Sequence, residues 1–494
     1  MSVNRVAVNA LWSLAGQIFP IVVAILTVPL LIRHMGMDRF GFLSLAWALV
    51  GYAGLFDFGI SRAMTRTVAA RLGAGDKSGA LHVARVGTAL MSLFGLAVCT
   101  VLWLCAEPLV HGWLNVPESL QEEAIGGLRV LAASIPLVML TAAYRGTLEA
   151  WQAFRRLNLI RIVMGLLTYL GPLIAALIVP RLEWIVGSVT IMRILTTYLH
   201  AKVCAIECGR IKPWHPLDRG TVRELVRLGG WMSVSNLVSP LMNYLDRFVL
   251  AGLVVVELVA YYSTPYDMIT RTLVFPFSVM AVIFPVLSAQ SGSAKSSQTT
   301  YSATIRMLMV LMFPICFTAV VLARPLLNLW LGAEFAEQAT IVLQVLAIGV
   351  LANTLAQAPA NLIQSTGNPK WMAILHLSEL PIFIGALWFA TGQFGIVGTA
   401  ACWTARMTID AAILFALAGR KLHWPQMGSL WYLTAVGAVT ALLASAWIHS
   451  AILCGVLWLL GVVSFFPLAW LFLLQPSDRQ SISMLLKIRR KNLV

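Results

Sequence analysis

The chain has 494 residues, 59% of them hydrophobic and 11% charged, with a formal net charge of +15. A soluble domain carries about 25% charged residues, so this composition excludes an ordinary water-soluble fold. The positive charge invites a nucleic-acid partner, but its placement along the chain argues against one and for an integral membrane protein.

Charge-free apolar runs set the first elements. About 20 helical residues cross about 30 Å of hydrocarbon. Residues 11–32, 86–106, 162–180 and 338–369 are runs of that kind, and 430–475 is long enough for two spans with a turn at 445–450. The spans must be helices, because lipid offers the backbone no hydrogen-bond partner. The first run is too long for a signal-peptide core and is followed by no A-x-A site, so it reads as a retained helix. In chain order the candidate spans are 11–32, 42–61, 86–106, 124–144, 162–180, 184–203, 229–250, 262–288, 307–323, 338–363, 371–391, 394–418, 430–447 and 450–474. The expected fold class is an all-α integral membrane protein of about 14 transmembrane helices.

The loops alternate in charge. The N-terminus, the even-numbered loops and the tail hold most of the Lys and Arg, including Arg5, Arg85, Lys202, Arg223, Lys370 and Lys491. The odd-numbered loops and their edges hold Arg33, Arg39, Arg129, Arg181 and Arg324, together with Glu107, Glu122, Glu123 and Glu337. The asymmetry predicts a multi-pass protein of the plasma membrane with both termini in the cytoplasm. Anionic membrane lipids gain a secondary attraction, strongest at the basic tail, and no nucleic-acid partner is expected.

A shift of 219 positions brings the two halves into partial register. Trp12 falls on Trp231, Leu31 on Leu250, Ser44 on Ser263 and Gly73 on Gly292; with a two-residue adjustment, 107–114 falls on 324–331. Six spans separate the copies, and an even number gives both the same orientation. The expected organisation is therefore an N-terminal six-helix lobe (1–203), a cytoplasmic linker (204–228), a C-terminal six-helix lobe (229–418), an extra helix pair (419–474) and a basic tail (475–494). The lobes are expected to be related by a pseudo-two-fold along the membrane normal, with a cavity between them and rocking motion giving alternating access.

Ionisable groups inside spans are costly and mark cavities or partners. Asp57, Arg62 and Arg66 lie at the end of the second span; Arg145 closes the fourth beside Glu149; Arg193 is in the sixth; Asp246 and Arg247 are in the seventh; Asp267 and Arg271 are in the eighth; Glu379 is in the eleventh; Arg406 and Asp410 are in the twelfth. The i, i+4 pairs Asp267/Arg271 and Arg406/Asp410 either satisfy one another locally or face a cavity. Arg193, Arg247 and Glu379 have no partner on their own helix and point to the cavity. Arginine suits phosphate oxygens, because guanidinium binds them in a bidentate manner and stays charged. The candidate residues for an anionic group, a phosphate or an acidic sugar, are Arg62, Arg66, Arg145, Arg193, Arg247, Arg271 and Arg406; the candidate ion-coupling residues are Asp57, Asp246, Asp267, Glu379 and Asp410. Pro265, Pro276 and Pro285 predict bending in the eighth span.

The seven cysteines are scattered, so neither a metal site nor a disulfide framework is expected, and no cofactor is called for. The chain has no G-x-x-x-x-G-K-[ST], H-E-x-x-H or G-x-S-x-G motif, and its longest extramembrane segment is too short for a catalytic domain.

Several segments carry a family resemblance. They are Asn9 to Trp12, Leu31 to Gly41, Leu55 to Arg62, Tyr244 to Ala251 followed by Tyr261, and Phe284 to Ser288. These resemble the Wzx-type polysaccharide (O-antigen) flippases of the MATE/MurJ-like superfamily. The resemblance implies an inner-membrane flippase for undecaprenyl-pyrophosphate-linked oligosaccharide, a cationic central cavity, coupling to an H⁺ or Na⁺ gradient, and work alongside the polysaccharide polymerase machinery. It places Arg62, Arg66 and Arg247 where relatives hold basic residues. A MATE-like drug antiporter, a lipid II flippase and an enzyme of the same pathway are the alternatives.

Overall fold

A computed structural model describes residues 20, 22–53, 59–209, 211, 215–289, 294–365, 370–419 and 450–473. The expected span at 430–447, the N-terminal part of the span at 11–32, Asp57 and the tail beyond 473 lie outside the described residues. The chain divides into two compact units, Met1–Ala260 and Tyr261–Val494.

In the first unit the helices are α1 (Val22–Met35), α2 (Met37–Ala53), α3 (Ile60–Gly73), α4 (Lys77–Leu104), α5 (Ala106–Gly112), α6 (Gln121–Ala150), α7 (Phe154–Ile178), α8 (Leu182–Glu207) and α9 (Arg219–Leu253). The helix α10 (Val256–Thr270) crosses the division. In the second unit a 3₁₀ turn (Arg271–Leu273) is followed by α11 (Val274–Ala289), α12 (Ala294–Val321), α13 (Ala323–Leu331), α14 (Ala333–Ser365), α15 (Lys370–Gly419) and α16 (Ala451–Leu468). The described residues are essentially all helix. Eight of these helices are long and apolar enough to cross a membrane. Their outward faces are greasy: Ile178, Leu329 and Ile452 are each more than 70% exposed, which suits hydrocarbon as the solvent.

Hydroxyl groups within the spans bond back to their own helix. Thr88 donates to the Ala84 carbonyl (2.7 Å), Thr196 to Met192 (2.8 Å) and Thr354 to Val350 (2.8 Å). In an apolar medium these bonds spare the hydroxyls any need for solvation by lipid.

Two departures from the expected spans have local causes. The second span does not run on to residue 61. Gly59 adopts φ 69°, a left-handed conformation, and α3 starts anew at Ile60. The eighth span is interrupted by the 3₁₀ turn at Arg271–Leu273. Pro276 lies just beyond it, has no N–H, and crowds the carbonyl four residues earlier, so the bend falls where a proline forbids the regular bond.

The eleventh and twelfth spans form the two limbs of α15, which folds back at Gly395 (φ 56°). Across the fold the hydroxyls of Thr391 and Thr399 meet at 2.9 Å. A Cβ on Gly398 would lie 2.0 Å from the Ala390 carbonyl oxygen, so only glycine permits this turn.

The element order repeats. A 28-residue helix, a short helix and a helix of 30 or more residues occur as α4–α5–α6 and again as α12–α13–α14. The segments matched by sequence, 107–114 and 324–331, are the two short helices.

Among the described residues, three of the five arginines of the odd-numbered loops have carboxylate partners. Arg39 bonds Glu123 through two nitrogens (2.8 and 3.0 Å), Arg129 pairs with Glu107, and Arg181 pairs with Glu183 at 3.2 Å. Glu123 also accepts from the Leu182 amide, so it joins α2, α6 and the start of α8.

Two exposed aspartates cap helices outside the spans. The Gly79 amide and the Ser78 hydroxyl hold the Asp76 carboxyl below the ordinary value of 3.8 at the start of α4. Thr221 does the same for Asp218 at the start of α9. Because the folded-state pKa is depressed, both caps are present above the ordinary carboxylate range and are lost as pH falls through the lowered value. Acidification is therefore expected to speed amide hydrogen exchange at Gly79 and Thr221, after correction for intrinsic rates. Asp76→Asn and Asp218→Asn are expected to remove that pH dependence. Exchange that stays flat with pH in the parent protein would contradict the capping role.

Candidate functional site

A cavity of about 400 Å³ opens in the first unit, walled mainly by α6, α7 and α8. Helical spacing builds its walls. On α6, Val138, Thr141, Ala142 and Arg145 follow the i, i+3, i+4, i+7 pattern of one face, and Arg161, Gly165 and Thr168 do so on α7. On α8, Arg193 and His200 stand two turns apart on the same face. Thr141 and Thr197 meet at 3.0 Å, and Thr190 donates to the Val130 carbonyl, so α6 and α8 are held in register.

The cavity holds three guanidinium groups and an imidazole. Arg145 and Arg161 are exposed at its wall, and Arg145 lies 3.7 Å from Glu149, which does not line the cavity. Arg193 sits deeper, with its Nε buried and making no hydrogen bond; among the described residues no carboxylate pairs with it. A guanidinium without a carboxylate partner is costly inside a membrane span, which makes Arg193 a candidate binding residue.

A second cluster lies in the second unit between the limbs of α15. The Arg406 Nε is 3.9 Å from a Glu379 oxygen, and its guanidinium stands 5.1 Å over the Phe383 ring. Asp410 is one turn further along and only 7% exposed. Neither Glu379 oxygen, nor Oδ1 of Asp410, accepts a hydrogen bond among the described residues. On α14, Asn353 and Gln357 bond to each other, and Asn353 also reaches the sulfur of Met407, the neighbour of Arg406 in the chain.

The structure thus sorts the expected residues. Arg145 and Arg193 meet in the cavity. Glu379, Arg406 and Asp410 meet in the second cluster, so the partner of Glu379 is a residue of the neighbouring limb. Arg62 and Arg66 are exposed on α3 and do not line the cavity. Asp246 and Arg247 are both buried on α9, with the Asp246 carboxylate accepting from the Arg247 amide at 2.8 Å. Asp267 on α10 and Arg271 in the 3₁₀ turn are half-buried.

Sequence reasoning missed Arg161 and His200. Arg161 reads as loop charge, because it borders the fifth span. His200 lies seven residues after Arg193, a spacing that signals a shared face once Arg193 is taken as inward-facing.

Comparisons with known proteins agree with this architecture. Residues 6–291 match the family model described as "Polysaccharide biosynthesis protein". A Shigella flexneri protein described as "Putative O-antigen transporter" is 27% identical over 406 residues, covering 82% of this chain and 96% of that protein. Among solved structures, the lipid II flippase MurJ in an inward closed conformation is similar with a TM-score of 0.72 at 13% identity, covering 93% of this chain and 98% of MurJ. An inward-facing multidrug resistance MATE family transporter gives a TM-score of 0.70 at 15% identity, covering 84% of this chain and 94% of that one. The chain belongs to the polysaccharide biosynthesis protein family and has the fold of the MATE and MurJ membrane transporters.

Proposed function

We propose that the protein flips undecaprenyl-pyrophosphate-linked oligosaccharide across the bacterial inner membrane, from a cytoplasmic entry side, without covalent chemistry. The observation that carries this reading is the three-arginine cavity inside a membrane-spanning unit, with the Nε of Arg193 buried and making no hydrogen bond. Guanidinium groups recognise phosphate oxygens in preference to the cationic substrates of a drug antiporter. The similarity to an O-antigen transporter and to a lipid II flippase supports the same class of cargo.

In this reading both termini are cytoplasmic, and the lobes 1–203 and 229–418 alternate access while the lipid tail stays in the bilayer. The Glu379, Arg406 and Asp410 cluster is the candidate site for a coupling proton or Na⁺, and the polysaccharide polymerase acts on the product at the outer face.

A strain lacking the protein is expected to accumulate repeat units on the undecaprenyl carrier at the inner face and to lose surface polysaccharide. Extraction of lipid-linked sugars with sidedness labelling reads this directly. Unchanged surface polysaccharide would end the proposal. Single units exposed on the outer face would point instead to a polymerase, and loss of viability with lipid II trapped inside would point to a lipid II flippase.

A further inference from the structure

The cavity contains one group whose charge is not fixed. His200 is 3% exposed, lines the cavity, and sits two turns beyond Arg193 on α8. Its Nδ1 is 2.9 Å from the Thr196 carbonyl oxygen. A carbonyl oxygen can only accept, so Nδ1 must carry a proton. In the neutral ring Nε2 is therefore a bare lone pair, and among the described residues nothing donates to it. The own-helix bond fixes both the tautomer and the direction of the ring.

We infer that His200 is a fourth ligand of the anionic headgroup and that it binds a proton together with that headgroup. The inference rests on the reading of the cavity as a diphosphate site and deepens it. A phosphate oxygen is a pure acceptor and gains nothing from the lone pair on Nε2. It gains a charge-assisted hydrogen bond only when Nε2 is protonated, and Nδ1 keeps its bond to Thr196 throughout. The charged groups facing the ring from the packed helices are Arg145 of α6, Arg161 of α7 and Arg193 of α8, with Glu149 of α6 beyond Arg145. In an empty cavity a second ring proton meets only like charge from the lining. An incoming diphosphate supplies the counter-charge, so ligand and proton enter as a linked pair. The three guanidinium groups give affinity at any pH, and the imidazole makes that affinity depend on pH within the range where histidine titrates.

The test uses the full-length protein in lipid nanodiscs. The probe is a short-chain prenyl diphosphate ester of N-acetylglucosamine, a diphosphate diester with no ionisation of its own near neutrality. Titration calorimetry in two buffers of different ionisation heat counts the protons taken up on binding. The wild-type protein is expected to take up protons near neutral pH and to bind about tenfold more weakly at about pH 8 than at about pH 6. His200→Asn keeps a donor for the Thr196 carbonyl but cannot be protonated. It is expected to bind at all pH values as weakly as the wild type does at the upper end, with no proton uptake. His200→Lys carries a permanent charge and is expected to bind independently of pH. If His200→Asn does not fold, the proton count of the wild type and the flat profile of His200→Lys decide the matter. Arg193-dependent binding with no proton uptake, or pH dependence retained in either variant, overturns the role of His200 and leaves the cavity reading standing. Absence of binding to the wild type overturns both.

Discussion

Arg193→Ala is expected to impair translocation about ten- to a hundredfold while leaving the protein folded and inserted. A guanidinium that bonds an anionic oxygen contributes about 1.5–3 kcal/mol when the partner is charged. Its loss corresponds to about ten- to a hundredfold weaker headgroup binding. The expected effect on stability has the opposite sign. Arg193 is half-buried with its Nε enclosed, and among the described residues no carboxylate pairs with it, so its removal relieves a desolvation cost and leaves no orphaned charge behind. A variant that transports poorly, yet unfolds at an equal or higher temperature than the wild type, separates a binding residue from a structural one. Arg193→Lys keeps the charge but loses the planar fork and is expected to fall between the two. Transport of lipid-linked oligosaccharide in reconstituted vesicles, set beside thermal unfolding of the same preparations, makes the comparison. Wild-type transport by Arg193→Ala would remove the cavity from the mechanism.

Arg406→Met is expected to act in the reverse way, through stability first. Arg406 lies 3.9 Å from the nearly buried Glu379 carboxylate and one helical turn before the buried Asp410. Removing one partner of a buried ion pair costs about 3–5 kcal/mol, because the remaining charge has neither water nor counter-ion. The triple variant Arg406→Met with Glu379→Gln and Asp410→Asn removes the whole charge set and is expected to recover much of that loss. The difference between the single variant and the triple variant measures the coupling. Thermal unfolding in detergent reads both. Equal destabilisation in the single and triple variants would show that the limbs of α15 do not depend on this cluster for their pairing. The triple variant, if folded, also asks whether transport still responds to an ion gradient when both carboxylates are gone.

The two variants differ because the two arginines do. Each is a guanidinium inside a membrane span, but in sequence only Arg406 has a carboxylate one turn away on its own helix. Arg406 has the Glu379 carboxylate of the neighbouring limb 3.9 Å away, whereas Arg193 lines a cavity and among the described residues has no carboxylate beside it.

Much of the fold is legible in the amino-acid sequence. Runs such as 86–106 and 162–180 have to be membrane helices, because no other structure satisfies a backbone in hydrocarbon. The short helices α5 and α13 coincide with the matching segments of the internal repeat. The proline-rich stretch at 265–285 marks the bend, which takes the form of the 3₁₀ turn at Arg271–Leu273. The candidate site is legible only in part. Arg145 and Arg193 carry the signal of charge within a span, whereas Arg161 lies at a span edge and is indistinguishable from loop charge. Arg62 and Arg66 carry a similar signal and yet sit exposed on α3, because the left-handed turn at Gly59 starts a separate helix there.

The amino-acid sequence alone determines the all-α membrane class of the protein and the runs that become its long apolar helices. These follow from local composition, which hydrocarbon thickness and backbone hydrogen bonding translate directly into structure. The tertiary structure alone decides which buried charges meet. The fold-back at Gly395 sets Glu379 beside Arg406, and the register of α6 against α8 turns Arg145, Arg193 and His200 into one cavity. Helical periodicity fixes which residues share a face, but the neighbour that each face meets is set by packing between helices far apart in the chain.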